Sequence, residues 1–267
     1  MRKLAALISA VACLLALAAC SQGGGDGEPA ASALRAHKRA GANKAAGDRH
    51  SVRSAPPRLS GCSSYYALTF DDGPNPVYTP KVKAALDSLG VRATFFLIGE
   101  EVDADPALAR SLVDGGNWVG NHSYTHPYLT ELGRAEVKDQ LERTSRAIWA
   151  ATGVSPEFAR PPDGEFNDET LSVFDELGLR NTIWTIDTND WRGNSVARMV
   201  SEAVKVKPGG IILMHDAYPT TVTAVPQIVN QLRQKGMCPG KLTPSPTPIE
   251  AAPAWPGVFF SVMAVKP

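Results

Sequence analysis

The sequence predicts an α/β protein: a distorted (β/α) barrel of about seven parallel strands, built as a single domain. Two observations predict it. From Cys62 onward, short apolar runs alternate with amphipathic segments, the rhythm of a parallel sheet with crossover helices. Polar residues able to do chemistry fall just after the apolar runs: Asp71 after the first, His122 after the third, Asp187 and His215 after later ones. Function in such folds sits at the carboxyl ends of the strands. An open doubly wound sheet has the same rhythm, but several strand ends converging on one mouth favour the barrel.

Residues 65–70 are the first strand candidate. Thr79 and Pro80 open a helix by N-cap and N1 chemistry, Val82, Ala85, Leu86 and Leu89 form its apolar stripe, and Gly90 closes it. Residues 91–98 form a buried strand run, followed by a helix around 106–113 and a short strand at 117–120. Residues 134–151 read as a longer amphipathic helix with Val137, Leu141 and Ile148 on one face. A helix at 168–177 stops at Gly178. Strands near 181–186 and 210–214 flank a helix near 195–204, and residues 228–235 lie in a final helix. Residues 241–267 are a Pro-rich C-terminal extension, whose apolar run 258–265 fits a last strand or a packed tail.

The 267 residues carry 27 basic and 27 acidic side chains, a balance that gives no reason to expect nucleic acid as a partner. Residues 21–60 hold seven basic and three acidic residues, whereas 61–267 hold 18 and 24. This is a basic tether joined to an acidic domain. Segment 21–60 is Gly, Ala, Ser and charge, too poor in large apolar residues to offset its ordering entropy, and is expected to be a disordered tether. The first residues combine Arg2 and Lys3 with an apolar stretch at 4–17 that is short for a membrane span. It ends Leu17-Ala18-Ala19-Cys20, which resembles the lipobox of bacterial lipoproteins. The resemblance implies a lipoprotein signal peptide at 1–20, lipidation of Cys20, and an extracytoplasmic protein anchored to the membrane. An ordinary secretory signal would also carry the chain out. With Cys13 in the signal and Cys20 lipidated, Cys62 and Cys238 remain. They are an even pair in an oxidising compartment, readable as a disulfide or as two buried thiols. A bridge across that separation would contribute roughly 5 kcal/mol in the chain-entropy picture.

Of five histidines, His37 and His50 lie in the tether, leaving His122, His126 and His215. Histidines four apart on a helical turn project from one face, close enough to share a cation; the same spacing also arises by chance on a polar loop. Asp71-Asp72 after a strand supplies two diverging carboxylates. One can complete a His-His-carboxylate face while the other takes a proton from water, although Asp-Asp-Gly-Pro also makes a plain turn. Such a donor set suits a hydrolytic zinc site or a non-haem iron oxygenase.

Five segments occur in order: Thr69-Phe70-Asp71-Asp72-Gly73-Pro74, His122-Ser123-Tyr124-Thr125-His126, Arg160-Pro161-Pro162-Asp163-Gly164, Asp187-Thr188-Asn189-Asp190-Trp191 and Leu213-Met214-His215. Together they resemble the signature of the NodB-homology polysaccharide deacetylases, carbohydrate esterase family 4, over about residues 62–240. Cys62 with the late segment Gly236-Met237-Cys238-Pro239-Gly240 further resembles secreted actinobacterial members active on xylan or chitin oligomers. The resemblance implies hydrolytic removal of acetyl groups from an acetylated polysaccharide by a monomer, with zinc or cobalt as the divalent metal. Asp72, His122 and His126 would hold the metal. Asp71 would be the general base, oriented by Arg160, and His215 the general acid. Asp190, and after it Asp187, would raise the pKa of His215. Trp191 and Leu213 would shape the slot for the acetyl methyl, and a backbone N–H near Asp163 would assist the oxyanion. Asp163 stands where the family usually carries an aromatic. The backbone donor survives that swap, but a carboxylate beside a developing oxyanion is unfavourable unless it points away or pairs. An oxygenase would leave Asp71, Arg160 and His215 without a role, and a carbohydrate-binding relic would leave Asp71 and His215 idle.

Overall fold

Strand β1 (Ser64–Gly73) divides its side chains between two environments. Tyr66, Leu68 and Phe70 are fully buried in the main apolar core under the helices, whereas Ala67 packs on the other side with Phe96, Phe158 and Ile211. This is the two-residue period of a strand buried on both faces, and it sends Thr69 and Asp71 to the barrel interior. The computed structural model describes residues 61–243 and 259–261. The expected signal peptide at 1–20 with Cys20, the tether at 21–60, and most of the C-terminal extension lie outside them.

Seven parallel strands form one curled sheet in the order β5-β4-β3-β2-β1-β7-β6, a distorted (β/α) barrel. The strands beside β1 are β2 (Thr94–Leu97), β3 (Trp118–Asn121), β4 (Phe158–Ala159), β5 (Arg180–Asn181), β6 (Ile186–Asp187) and β7 (Ile211–His215). The expected single strand at 181–186 is two strands, β5 and β6, at opposite edges of the sheet. Thr182 N–H bonds to the Ala159 carbonyl and Thr185 N–H to the Ile211 carbonyl, so residues 182–185 carry the chain across the open seam.

Helix α1 (Thr79–Leu89) has Pro80 in its first turn and ends on Gly90 in the left-handed conformation. A short helix α2 (Gly99–Ala104), which the sequence does not announce, follows β2 with no side-chain cap. Helices α3 (Pro106–Asp114), α5 (Asp168–Glu176) and α6 (Val196–Ala203) begin on Asp105, Asn167 and Ser195, whose side chains accept from the N–H of Leu108, Thr170 and Arg198. Helix α4 (Arg134–Thr152) ends at Gly153. Helix α7 (Pro219–Gln234) starts nine residues before the expected 228 and runs through Pro226. Its buried stripe, Thr221, Ala224, Val225, Ile228, Val229 and Leu232, continues across the proline, so packing overrides the missing hydrogen bond.

Strand β8 (Met237–Pro239) pairs with the beginning of β1, and Cys238 faces Tyr65 in register. Cys62 and Cys238 form a disulfide with Cα atoms 5.7 Å apart. Strand β9 (Lys241–Thr243) pairs in parallel with β10 (Phe259–Ser261) as a separate two-stranded sheet. Part of the late apolar run is thus a strand, outside the barrel sheet.

Candidate active site

Register brings the polar motifs to one end of the sheet. Asp71 on β1 faces His215 on β7, Leu97 on β2 faces Asn121 on β3, and Asp187 on β6 faces Leu213 on β7. The β1–β2 register shifts between Asp71 and Gly73, and the extra residue, Asp72, has φ 71°. Such a bulge re-aims adjacent side chains, which is how neighbouring carboxylates come to serve different partners.

Asp71 is 2% exposed and Arg160 is wholly buried. Arg160 Nη1 donates to Asp71 Oδ1 at 2.6 Å and to Thr69 Oγ1 at 2.9 Å, while Nε donates to the Thr182 carbonyl at 3.0 Å. The guanidinium also lies 4.2 Å from the Phe96 ring centroid. It is fixed by β1 and by the segment that follows β5.

Asp72 Oδ1 lies 3.4 Å from Nε2 of both His122 and His126. One donor atom from each of Asp72, His122 and His126 falls within 4.8 Å of the others. The Arg160 carbonyl can only accept, so its 2.7 Å contact with His122 Nδ1 makes that nitrogen the protonated one. Nε2 then presents a lone pair toward Asp72, the usual tautomer of a metal ligand. Asp72 Oδ1 is buried and has no hydrogen-bond partner. An orphaned carboxylate oxygen facing two imidazole nitrogens fits a divalent cation.

Burial pushes Asp72 up, but the neighbouring imidazoles outweigh it and hold the carboxyl at about 2. Burial also pushes the His122 imidazole down, and Asp71 and Asp72 more than reverse it. For His126, burial and His122 lower the pKa against the pull of Asp72, Asp163 and Asp71.

The histidine pair does not ride on a helical turn. Residues 122–126 form an irregular loop, in which Ser123 (φ 63°) and His126 (φ 57°) turn the chain back so that the rings meet, centroids 4.9 Å apart. Sequence reasoning missed the supports of this loop. Gln140 Oε1 on α4 accepts from the N–H of Tyr124 at 2.7 Å and of Thr125 at 2.9 Å. Asn121 Oδ1 accepts from Ser123 N–H, and Asn121 Nδ2 donates to the Leu141 carbonyl and Ser145 Oγ. Asn121 could have been suspected as the residue before His122, but nothing in the sequence marks Gln140.

On the other side, His215 Nδ1 donates to Asp190 Oδ1 at 2.8 Å, leaving Nε2 4.0 Å from Asp72 Oδ2. Asp190 Oδ2 accepts from the His215 N–H at 2.7 Å and from Thr221 Oγ1 at 2.8 Å. Burial pushes His215 down, but Asp190, with Asp71 and Asp72, raises it to about 9. The carboxylate bonded to His215 is that of Asp190. Asp187 instead accepts from Asn189 N–H at 2.7 Å and lies 3.4 Å from the Trp191 indole nitrogen.

Trp191 is half-exposed on a short turn after Asp190, whereas Leu213 is buried on the same face of β7 as His215. Asp163 is exposed on a turn with φ 55°, and its charge reaches His126. Among the described residues, five non-glycine residues have positive φ: Asp72, Ser123, His126, Asp163 and Asn189. All five lie in the motif segments, at a cost on the order of 1 kcal/mol each that the surrounding structure bears.

Comparisons with known proteins show which family the chain resembles. Residues 60–182 match the polysaccharide deacetylase family. A bifunctional xylanase/xylan deacetylase of Cellvibrio japonicus is 39% identical over 70% of this chain, but the chain spans only 28% of that relative. A chitooligosaccharide deacetylase of Bradyrhizobium is 42% identical over 60% of this chain and 74% of its own length. The structure of a family 4 carbohydrate esterase from Streptomyces lividans, in complex with acetate, superposes with a TM-score of 0.67 at 42% identity, over 68% of this chain and 95% of that one. With its barrel, its five ordered motifs and these relatives, the chain belongs to the NodB-homology polysaccharide deacetylases of carbohydrate esterase family 4.

Proposed function

We propose that the chain hydrolyses acetyl groups from an acetylated polysaccharide with a divalent cation, zinc or cobalt, held by Asp72, His122 and His126. The observation that carries the reading is that this donor set lies between two separate carboxylate-oriented groups, Asp71 with Arg160 and His215 with Asp190. When bound, such a cation supplies Lewis acidity to polarise an acetyl carbonyl and lower the pKa of water.

Asp71 takes the proton from the attacking water. Its other oxygen is occupied by Arg160, so the accepting atom is Oδ2, 3.7 Å from His122 Nε2. His215 gives a proton from Nε2 to the departing sugar nitrogen or oxygen, and Asp190 keeps it charged for that step. Trp191 and Leu213 border the acetyl group, and Asp187 holds the turn that presents Trp191. Asp163 is the residue at which substrate contacts depart from the family pattern.

The substrate candidates are N-acetylglucosamine polymers, such as chitin oligomers or peptidoglycan, and O-acetylated xylan. A signal peptide at 1–20, lipid on Cys20 and the tether at 21–60 would place a monomeric catalytic domain outside the cytoplasm, close to the cell envelope.

The test is acetate release from chitin oligomers, acetylxylan and peptidoglycan. Chelation should abolish it, and zinc or cobalt should restore it. Asp71→Asn is expected to retain metal and lose about a hundredfold or more in turnover; unchanged turnover would remove Asp71 as the base. His126→Ala is expected to lose the metal, and full occupancy in that variant refutes the ligand set.

A further inference from the structure

Asp216 follows His215 in sequence but has no part in the chemistry above. Its side chain is fully buried, a rare position for an aspartate without an ionic partner. Oδ2 accepts a hydrogen bond from Thr79 Oγ1, and Oδ1 has no hydrogen-bond partner. Thr79 Oγ1 in turn accepts from the Asn75 N–H at 2.6 Å. Asn75 Oδ1 accepts from the N–H of Val77 at 2.9 Å and of Tyr78 at 3.0 Å. The carboxyl thus stands under the whole turn that leads from Asp72 into α1.

It also occupies the space a side chain at position 73 would need. A Cβ on Gly73 would lie 2.5 Å from Asp216 Oδ2 and 2.7 Å from Oδ1. Gly73 is not one of the positive-φ glycines, so close approach, not backbone conformation, demands glycine here. A buried carboxyl with one unpartnered oxygen costs stability, and burial pushes Asp216 up to about 7 against the Thr79 hydrogen bond. The single hydrogen bond to Thr79 offsets that cost only in part, because the second oxygen stays unpartnered.

We propose that Asp216 is a positioning residue for the metal-binding half of the site. Its carboxyl seats Gly73 and, through Thr79 and Asn75, fixes the turn that aims Asp72 at His122 and His126. The inference rests on reading those three residues as cation ligands.

The test is cobalt(II) affinity of the full chain, measured by competition with a chromophoric chelator, together with the visible spectrum of the bound ion. Asp216→Ala and Thr79→Val are expected to weaken affinity about tenfold or more and to alter the spectrum. Asp216→Asn retains an oxygen for Thr79 in the same volume and should stay near wild type. Gly73→Ala should weaken binding through its clash with the carboxyl, and adding Asp216→Ala should recover part of that loss. Thr79→Val decides the matter if Asp216→Ala does not fold. Wild-type affinity in both Asp216→Ala and Thr79→Val, with binding abolished in Asp72→Ala, overturns the positioning role alone. Unchanged binding in Asp72→Ala removes the ligand reading and this proposal with it.

Discussion

At His215, burial and charge act in opposite directions, and Asp190 decides the outcome. The imidazole is raised from 6.5 to about 9, so its share of folding stability in the metal-free protein is full below pH 6.5. That share is lost as the pH rises through about 9. Asp190→Asn removes the largest of the effects that raise it and leaves burial opposed only by Asp71 and Asp72. The alkaline limb of kcat/KM is therefore expected to move down by about two units, as read from the pH–rate profile. An unmoved limb would show that Asp190 does not set the state of His215. The residues legible in the sequence are those whose side chains have few other uses in a strand end: Asp71, Asp72, His122, His126, Arg160, Asp190 and His215 all meet at the site. The roles of Asn121, Gln140 and Asp216 were not legible, even where position made Asn121 suspect, because an amide or a lone acid carries no sign of which distant group it holds.

At the scale of elements, the loop at 122–126 shows how little of the site's geometry is local. Two backbone N–H groups of the loop converge on Gln140 from α4. Gln140→Ala should leave the helix intact by circular dichroism yet weaken metal binding about tenfold or more. Unchanged affinity would mean that the positive-φ residues alone hold the loop. The histidines' spacing suggests a helical turn, but left-handed residues achieve the same convergence, and sequence periodicity cannot report them. The long elements, β1, α1 and α4, were readable from period, and the end of α1 from Gly90, but the N-cap expected at Thr79 is Tyr78, and the Thr79 hydroxyl bonds Asp216 instead. Strands β4, β5 and β6 have two residues each, too few for any pattern. Their existence depends on neighbours supplied by tertiary structure. Pro226 similarly hides the first half of α7, because local propensity argues for a break where the buried stripe requires continuity.

For the whole molecule, the Cys62–Cys238 bridge and the metal cluster occupy opposite ends of β1. Cys62 precedes the strand, whereas Asp71 and Asp72 close it. Replacing both cysteines by serine is expected to lower unfolding free energy by about 2–5 kcal/mol, measured by denaturant titration, with metal affinity unchanged. A fall in affinity would show that strain at one end reaches the other. At the metal end, Arg160 holds the site through both its side chain and its main chain. Its guanidinium donates to Asp71, and its main-chain oxygen accepts a hydrogen bond from His122 Nδ1–H. Every amino acid carries a carbonyl, so no substitution deletes the second attachment, while the first can be erased by one codon change. Natural variation can therefore retire the proton acceptor's partner and still inherit an oriented imidazole, so a descendant that has lost turnover could keep its ion.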